Sequence, residues 1–312
     1  MAYSRAKSWN LRGSSRYGRK KRGGVRRRSY GRKRTYRKKT SKRRSLTDRM
    51  SHKKHDTMVS AAGAALNPSP ASETVAGRLF VMNSNTTNTS ANGVHMIAFA
   101  PSVRGLVPNN YAYVSARTAT RTFVKGIAET YQIIPSDASA WEWRRIVVSL
   151  KGGFNTNLAI VEAIGAQFAT NTTMRYMKDL TGDTSGPYLA LWDAIQDILF
   201  RGVKVTDWLD QMGAPLDTSR VNVHSDRRRV ISSGNDASKP RHVKTYVPIN
   251  KTLQYDDEEN GINISPSKFS VESKIGIGDV YVFDMFACRA PINATSSQLQ
   301  VGSTQTYYWH EK

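Results

Sequence analysis

The first 54 residues carry 23 Lys or Arg and one acid, Asp48, whereas the remaining 258 carry 24 bases against 23 acids. The formal net charge of +23 therefore divides into +22 on an N-terminal arm and +1 on a body. Only Leu11, Val25, Leu46, Met50 and a few aromatics in the arm are apolar. Such a segment cannot bury enough surface to offset its ordering entropy and self-repulsion, so it is expected to be disordered until a polyanion neutralises it. The body is charge-balanced and long enough for a large core, so fold and polyanion binding are assigned to different parts of the chain.

Arg and Lys neutralise phosphates and release condensed counterions. The candidate nucleic-acid contacts are Arg16, Arg19, Lys20, Lys21, Arg22, Arg26, Arg27, Arg28, Arg32, Lys33, Arg34, Arg37, Lys38, Lys39, Lys42, Arg43 and Arg44. Trp9, Tyr17, Tyr30 and Tyr36 are interleaved with them. Aromatics among cations favour single strands, on whose unpaired bases they stack. Lys20, Lys21 and Arg22 with Arg26, Arg27 and Arg28, and separately Lys42, Arg43 and Arg44, have the form of nuclear import signals and imply host import receptors as partners. The arm alone fits equally a solvated tail of the ribosomal or linker-histone kind. A mitochondrial transit peptide would share its composition, but the arm shows no regular apolar face.

Residues 55–77, with VSAAGAAL and NPSPAS, are predicted to be a linker, leaving 78–312 as one folded domain. Eight runs rich in Val, Ile, Thr, Tyr and Phe are predicted strands: 78–83, 94–100, 120–134, 141–150, 220–232, 242–255, 279–290 and 299–309. Leu191, Ile195, Ile198 and Leu199 recur at near-helical spacing after Pro187 and before Gly202, which predicts one packed helix over 187–200. Eight strands, irregular loops and a single inserted helix predict an all-β fold, an eight-stranded antiparallel jelly-roll sandwich behind the disordered arm. In WEWRRIVVSL, 141–150, neither alternate face is purely polar, so both sides of that strand should be covered. Trp141 and Trp143 are assigned to core packing ahead of base stacking.

Cys288 is the only cysteine, which excludes a disulfide or a cysteine-based zinc site within one chain and suits a reducing compartment. No apolar run is long enough for a membrane helix, and the N-terminus has no apolar signal region, so neither membrane nor secretion is expected. The six Asn-x-Ser/Thr sequons, at Asn85, Asn88, Asn171, Asn250, Asn263 and Asn293, are accordingly read as chance. No phosphate-binding loop, zinc-protease or nucleophile-elbow motif occurs, and the six histidines are scattered. No catalytic residue, cofactor or metal site is expected. Asp256, Asp257, Glu258 and Glu259 are read as a solvated turn, with a divalent cation as the alternative. A nuclease reading would need such a cluster at a metal site. Arg227, Arg228 and Arg229 form the one basic triplet of the body; they suit either a polyanion or acids across an interface.

The stretch TFVKGIAETYQIIPSDASAWEWRRIVVSL, 122–150, resembles the capsid proteins of genomoviruses, the gemycircularvirus-like group of circular single-stranded DNA viruses. VISSGN (230–235), VPINKTLQYDDEENG (247–261) and GDVYVFDMFAC (278–288) resemble later blocks of that family, in the same order. The resemblance implies a jelly-roll subunit, a sixty-copy icosahedral shell, packaging of single-stranded DNA and nuclear entry, as in the related geminivirus coat proteins. The expected partners are the DNA genome, other copies of the chain and import receptors, and the expected locations are the virion and the host nucleus. The competing class is a non-viral, chromatin-like or ribosomal nucleic-acid-binding protein. It explains the arm but not a large neutral β-rich body without a site.

Overall fold

The computed structural model describes residues 46–63, 74–84, 93–107, 113–152, 174–177, 179–181, 187–235, 237–289 and 297–312. Its elements, in chain order, are α1 (Leu46–Met50), β1 (His52–Gly63), β2 (Thr74–Ala76), β3 (Phe80–Asn83), β4 (Val94–Phe99), β5 (Arg121–Pro135), β6 (Trp141–Leu150), β7 (Met174–Tyr176), α2 (Pro187–Leu199), β8 (Asn222–Ile231), β9 (Arg241–Gln254), β10 (Glu258–Asn260), β11 (Asn263–Ser265), β12 (Asp279–Cys288) and β13 (Gln298–Glu311). The fold is all-β, a sandwich of two sheets. The larger runs β2-β1-β13-β5-β9, with β3 also on β13 and β7 parallel to β1; the smaller runs β4-β12-β6-β8, and β10 pairs only with β11. Among the described strands, eight have six residues or more: β1, β4, β5, β6, β8, β9, β12 and β13. They pair antiparallel as nested partners, first with last, second with seventh, third with sixth and fourth with fifth.

The predicted segments from 94 onward all recur as strands, and the predicted helix recurs as α2. The predicted segment at 78–83 is the short strand β3, and the first long strand lies where the arm and linker were expected. His52–Gly63 is paired with β13 along His52–Val59. The strand escaped prediction because its inward positions are Lys54, Asp56, Met58 and Ser60, all buried, rather than a row of aliphatics. Lys54 is accommodated by all three of its protons: Nζ donates to Ala116 O and Thr118 Oγ1, each at 2.8 Å, and sits 3.0 Å from Glu311. Asp56 meets Arg104 at 2.7 Å, and that guanidinium lies over the rings of Tyr307 and Trp309. Each buried charge has a partner, which is the condition for burying it.

Both faces of β6 are covered, as its mixed pattern requires. Trp141, Trp143 and Val147 face the larger sheet. Ile146, Val148 and Leu150 face outward with Tyr281, Phe283 and Met285, under a cover of Trp192, Ile195 and Leu199 from α2 and of Trp208 and Met212 beyond it. Arg144, on the covered face, donates to Gln211 O at 2.7 Å and Ala214 O at 2.8 Å and binds Asp226 at 2.7 Å, pinning the cover to the sheet. On β5, Gly126 sits at a bulge with φ 158°; a Cβ there would lie 2.5 Å from Val247 O and 2.9 Å from the Tyr246 hydroxyl. Only glycine leaves room for the neighbouring strand and the tyrosine that covers it.

Between the sheets lies a closed set of charges. Arg145 is 2.6 Å from Glu129, Arg175 is 2.6 Å from Asp284, and Arg175 also contacts Glu129. Tyr131 donates to Asp284 at 2.6 Å, Trp143 Nε1 to the same carboxylate at 2.9 Å, and Arg175 to Ser303 at 2.8 Å. All of these side chains are buried. Burial alone would raise Asp284, but the Arg145 and Arg175 guanidiniums hold it below its ordinary value. Burial pushes the Tyr131 phenol well up, so it remains a donor.

His95 on β4 joins a second buried pair. Its Nδ1 is 2.5 Å from Asp179 and its Nε2 is 2.9 Å from Asn83 O, so both ring nitrogens face acceptors and both are satisfied only in the imidazolium. Burial opposes that charge, but Asp179 outweighs it and raises His95 above 6.5. A raised folded-state value stabilises fully below the unfolded value near 6.5 and is lost as pH rises through the folded one. Denaturant titrations of wild type and His95→Gln should therefore differ most at pH 6, in favour of wild type, and converge at alkaline pH. A difference that stays constant across that range would contradict this.

Candidate nucleic-acid interface

The seventeen arm residues from Arg16 to Arg44 singled out above all lie outside the described residues. The described chain begins at α1, immediately before β1, so the arm is covalently joined to the larger sheet. On that sheet the outward positions of the four long strands are mostly polar, with the exposed apolar Val59 and Phe123 among them. They include His55, Thr57, Thr304, Thr306, Tyr308, Phe123, His242 and Tyr246, together with the exposed cations Lys53, Arg121, Lys125 and Lys244, and no Asp or Glu. The carboxylates of β1, β5 and β13 all point the other way, into buried pairs: Asp56 to Arg104, Glu129 to Arg145, Glu311 to Lys54. Strand alternation has therefore sorted the sheet's charges by sign.

At one end of this face a cleft of about 610 Å³ is lined by Arg121, Phe123, Lys125, His310, Glu311 and Lys312, with Asp48 of α1 across it. Phe123 and His310 are stacked obliquely at 6.1 Å. Asp48 lies 3.8 Å from His310, but burial lowers that ring from 6.5. Lys125 donates to Asn250 at 2.7 Å. Cations around exposed rings are what a nucleotide strand takes, the charge for phosphate and the ring for a base. The residues around 222–254 add to the same sign: seven Lys or Arg against two acids, a net of +5, which leaves −4 on the rest of the body. Sequence reasoning found Arg227, Arg228 and Arg229 but missed this local excess and the acid-free face. A charge count in short windows, combined with strand alternation, would have shown both.

The Trp-rich block is excluded from that interface. Trp143, Arg144 and Arg145 are at most 3% exposed. Trp143 stacks on Phe286 at 5.9 Å and meets Tyr131 edge-on at 4.7 Å, in agreement with the core assignment. Arg229, on the edge strand β8, lies over the Trp143 ring and closes the core there. The four carboxylates of the acidic run do not converge. Asp257 turns inward, bidentate on Arg117 at 2.6 and 3.0 Å, while Glu258 and Glu259 are exposed on a hairpin whose turn is Gly261 and Ile262. Among the described residues no three His, Cys, Asp or Glu side chains converge on a point suited to a metal. No described helix is long and apolar enough to cross a membrane.

No family model matches the chain, and no curated protein matches it. Among solved structures it is similar to VP1 of Trichodysplasia spinulosa-associated polyomavirus, described in complex with 3'-sialyllactose, at 7% identity and a TM-score of 0.09, over 83% of this chain and 79% of that one.

The core assignment of Trp143 is open to a direct test. Trp143→Ala should cost about 3–5 kcal/mol of stability, while the dependence of single-strand affinity on salt stays that of wild type. A lower salt slope, or lost affinity at unchanged stability, would place this ring at nucleic acid instead.

Proposed function

We propose that the chain is a viral capsid protein that assembles with its own copies and holds a single-stranded DNA genome through its basic arm, with no enzymatic role. The observation that carries the reading is the separation of +22 on residues 1–54 from +1 on the remainder. A tail of that density has no use in a fold of its own and a large one on a polyanion. The nested pairing of the eight long strands supports a jelly roll, in which a long antiparallel ribbon is rolled into two facing sheets. The collinear blocks that resemble genomovirus capsid proteins support the same reading, and so does the acid-free face on the sheet from which the arm departs. Lys20–Arg22 with Arg26–Arg28, and Lys42–Arg44, would serve import into the nucleus, where such a genome is met.

In a shell of sixty copies the residues 1–45 that precede α1, with a net +20, would bring about 1,200 positive charges, each offsetting roughly one phosphate. The net +3 of the rest of the chain would bring about 180 on the same count, far too few for a genome of a thousand or more nucleotides. Deleting residues 1–45 should leave closed particles that are empty. The check is their absorbance ratio and nuclease-protected DNA, beside negative-stain images. Particles with wild-type nucleic acid would refute the role of the arm. A full-length protein that stays a small monomer at every salt and pH would refute the capsid reading and favour a chromatin-like or ribosomal one.

A further inference from the structure

β8 is an edge strand of the smaller sheet, and every residue from Asp226 to Val230 on it is exposed. Its Arg227, Arg228 and Arg229 make two such edges repel one another, which blocks like-with-like pairing. The hairpin β10–β11 is the opposite surface. It pairs only with itself, is exposed throughout, and carries Glu258 and Glu259 on one strand, with Asp256 just before it. Among the described residues neither Arg227 nor Arg228, and neither Glu258 nor Glu259, has an ion-pair partner. Each surface also exposes apolar side chains: Val230 at 69% on β8, Ile262 at 101% and Ile264 at 52% on the hairpin.

We propose that the basic β8 edge of one copy receives the acidic β10–β11 hairpin of a second copy. The contact rests on the capsid reading and names the surfaces through which such copies would meet. Three features select this occupant. The charges are opposite and otherwise uncompensated. The apolar residues on both sides give a protein partner area to bury, which a phosphate backbone would not use. The net +5 of 222–254 is nearly balanced by the −4 of the rest of the body, so the body is complementary to itself. Because the two patches differ, the contact is heterologous, and repeated around an axis it closes rings of the kind a shell is built from.

The test uses full-length protein. Arg229 is left intact because it covers Trp143, and Arg227→Glu with Arg228→Glu is made beside Glu258→Arg with Glu259→Arg; near-ultraviolet circular dichroism checks that each folds. Each reversed pair should cut the assembled fraction at least roughly tenfold, since like charges then meet across the contact. The quadruple variant, which exchanges the signs, should recover it to within about twofold. Reversed pairs that assemble like wild type would overturn the proposal while leaving the capsid reading intact. So would particles that form normally but hold less DNA, which would make β8 a nucleic-acid surface, and so would a quadruple variant that stays unassembled. Wild type that never assembles would overturn both.

Discussion

Four charges enclosed between two sheets, Glu129, Arg145, Arg175 and Asp284, set the condition that the rest of the sandwich must meet. They come from β5, β6, β7 and β12, strands spread between residues 121 and 288. On β12 and β6, Asp284 lies directly opposite Arg145; on β13 and β5, Gln305 lies opposite Glu129. The two rows face each other with equal numbers of cations and anions. A slip of one residue in any of these strands would send its charge to the opposite face and strand the partner inside. A buried charge left without its partner costs about 3–5 kcal/mol, so the registers are tied together rather than chosen one at a time. Trp143 and Tyr131 belong to this arrangement as the donors that complete Asp284.

The same charges explain what could and could not be read from residues. Runs rich in Val, Ile, Thr, Tyr and Phe marked β4, β5, β6, β8, β9, β12 and β13, and Pro187 with Gly202 bracketed α2, because in those places local composition and the element formed agree. In β1 they disagree. Lys54 and Asp56 look like solvated arm residues, and only Glu311 and Arg104, some 257 and 48 positions away, make them interior. Arg144 and Arg145 are the same problem side by side: one closes the outer cover and the other the inner network, and neither reaches solvent. Polar residues reveal burial only through their partners, and partners distant in sequence are not visible in a local pattern. The candidate interface was legible in the opposite way. The arm declared itself by charge alone, whereas the acid-free face did not, because its threonines, histidines and lysines read as an ordinary wet surface until the strands are in register.

The two sheets are consequently unlike on their outer faces. In the smaller sheet β4, β12 and β6 are covered on both sides, the outer one closed by α2 and the turns up to Val221 with Arg144 as the fastening, while β8 is left as an exposed edge. The larger sheet is packed within and presents hydroxyls, rings and amines without, beside the exposed apolar Val59 and Phe123. A sandwich with one dry outer face and one wet, cationic outer face has a direction.

The place where the arm joins the body bears on how both behave in salt. If the arm binds phosphates as proposed, ionic strength would weaken those many contacts steeply. The strand that anchors the arm is held by different means. Lys54 and Glu311 are 5% and 2% exposed at their side chains, and the Arg104 pair with Asp56 is shielded by Tyr307 and Trp309. Buried pairs of this kind are little screened. On the proposed function, raising salt would therefore loosen what the arm holds well before it loosens β1. A polyanion would then be released without unfolding the body, because the pairs that fasten β1 are buried and none of the seventeen arm cations belongs to them.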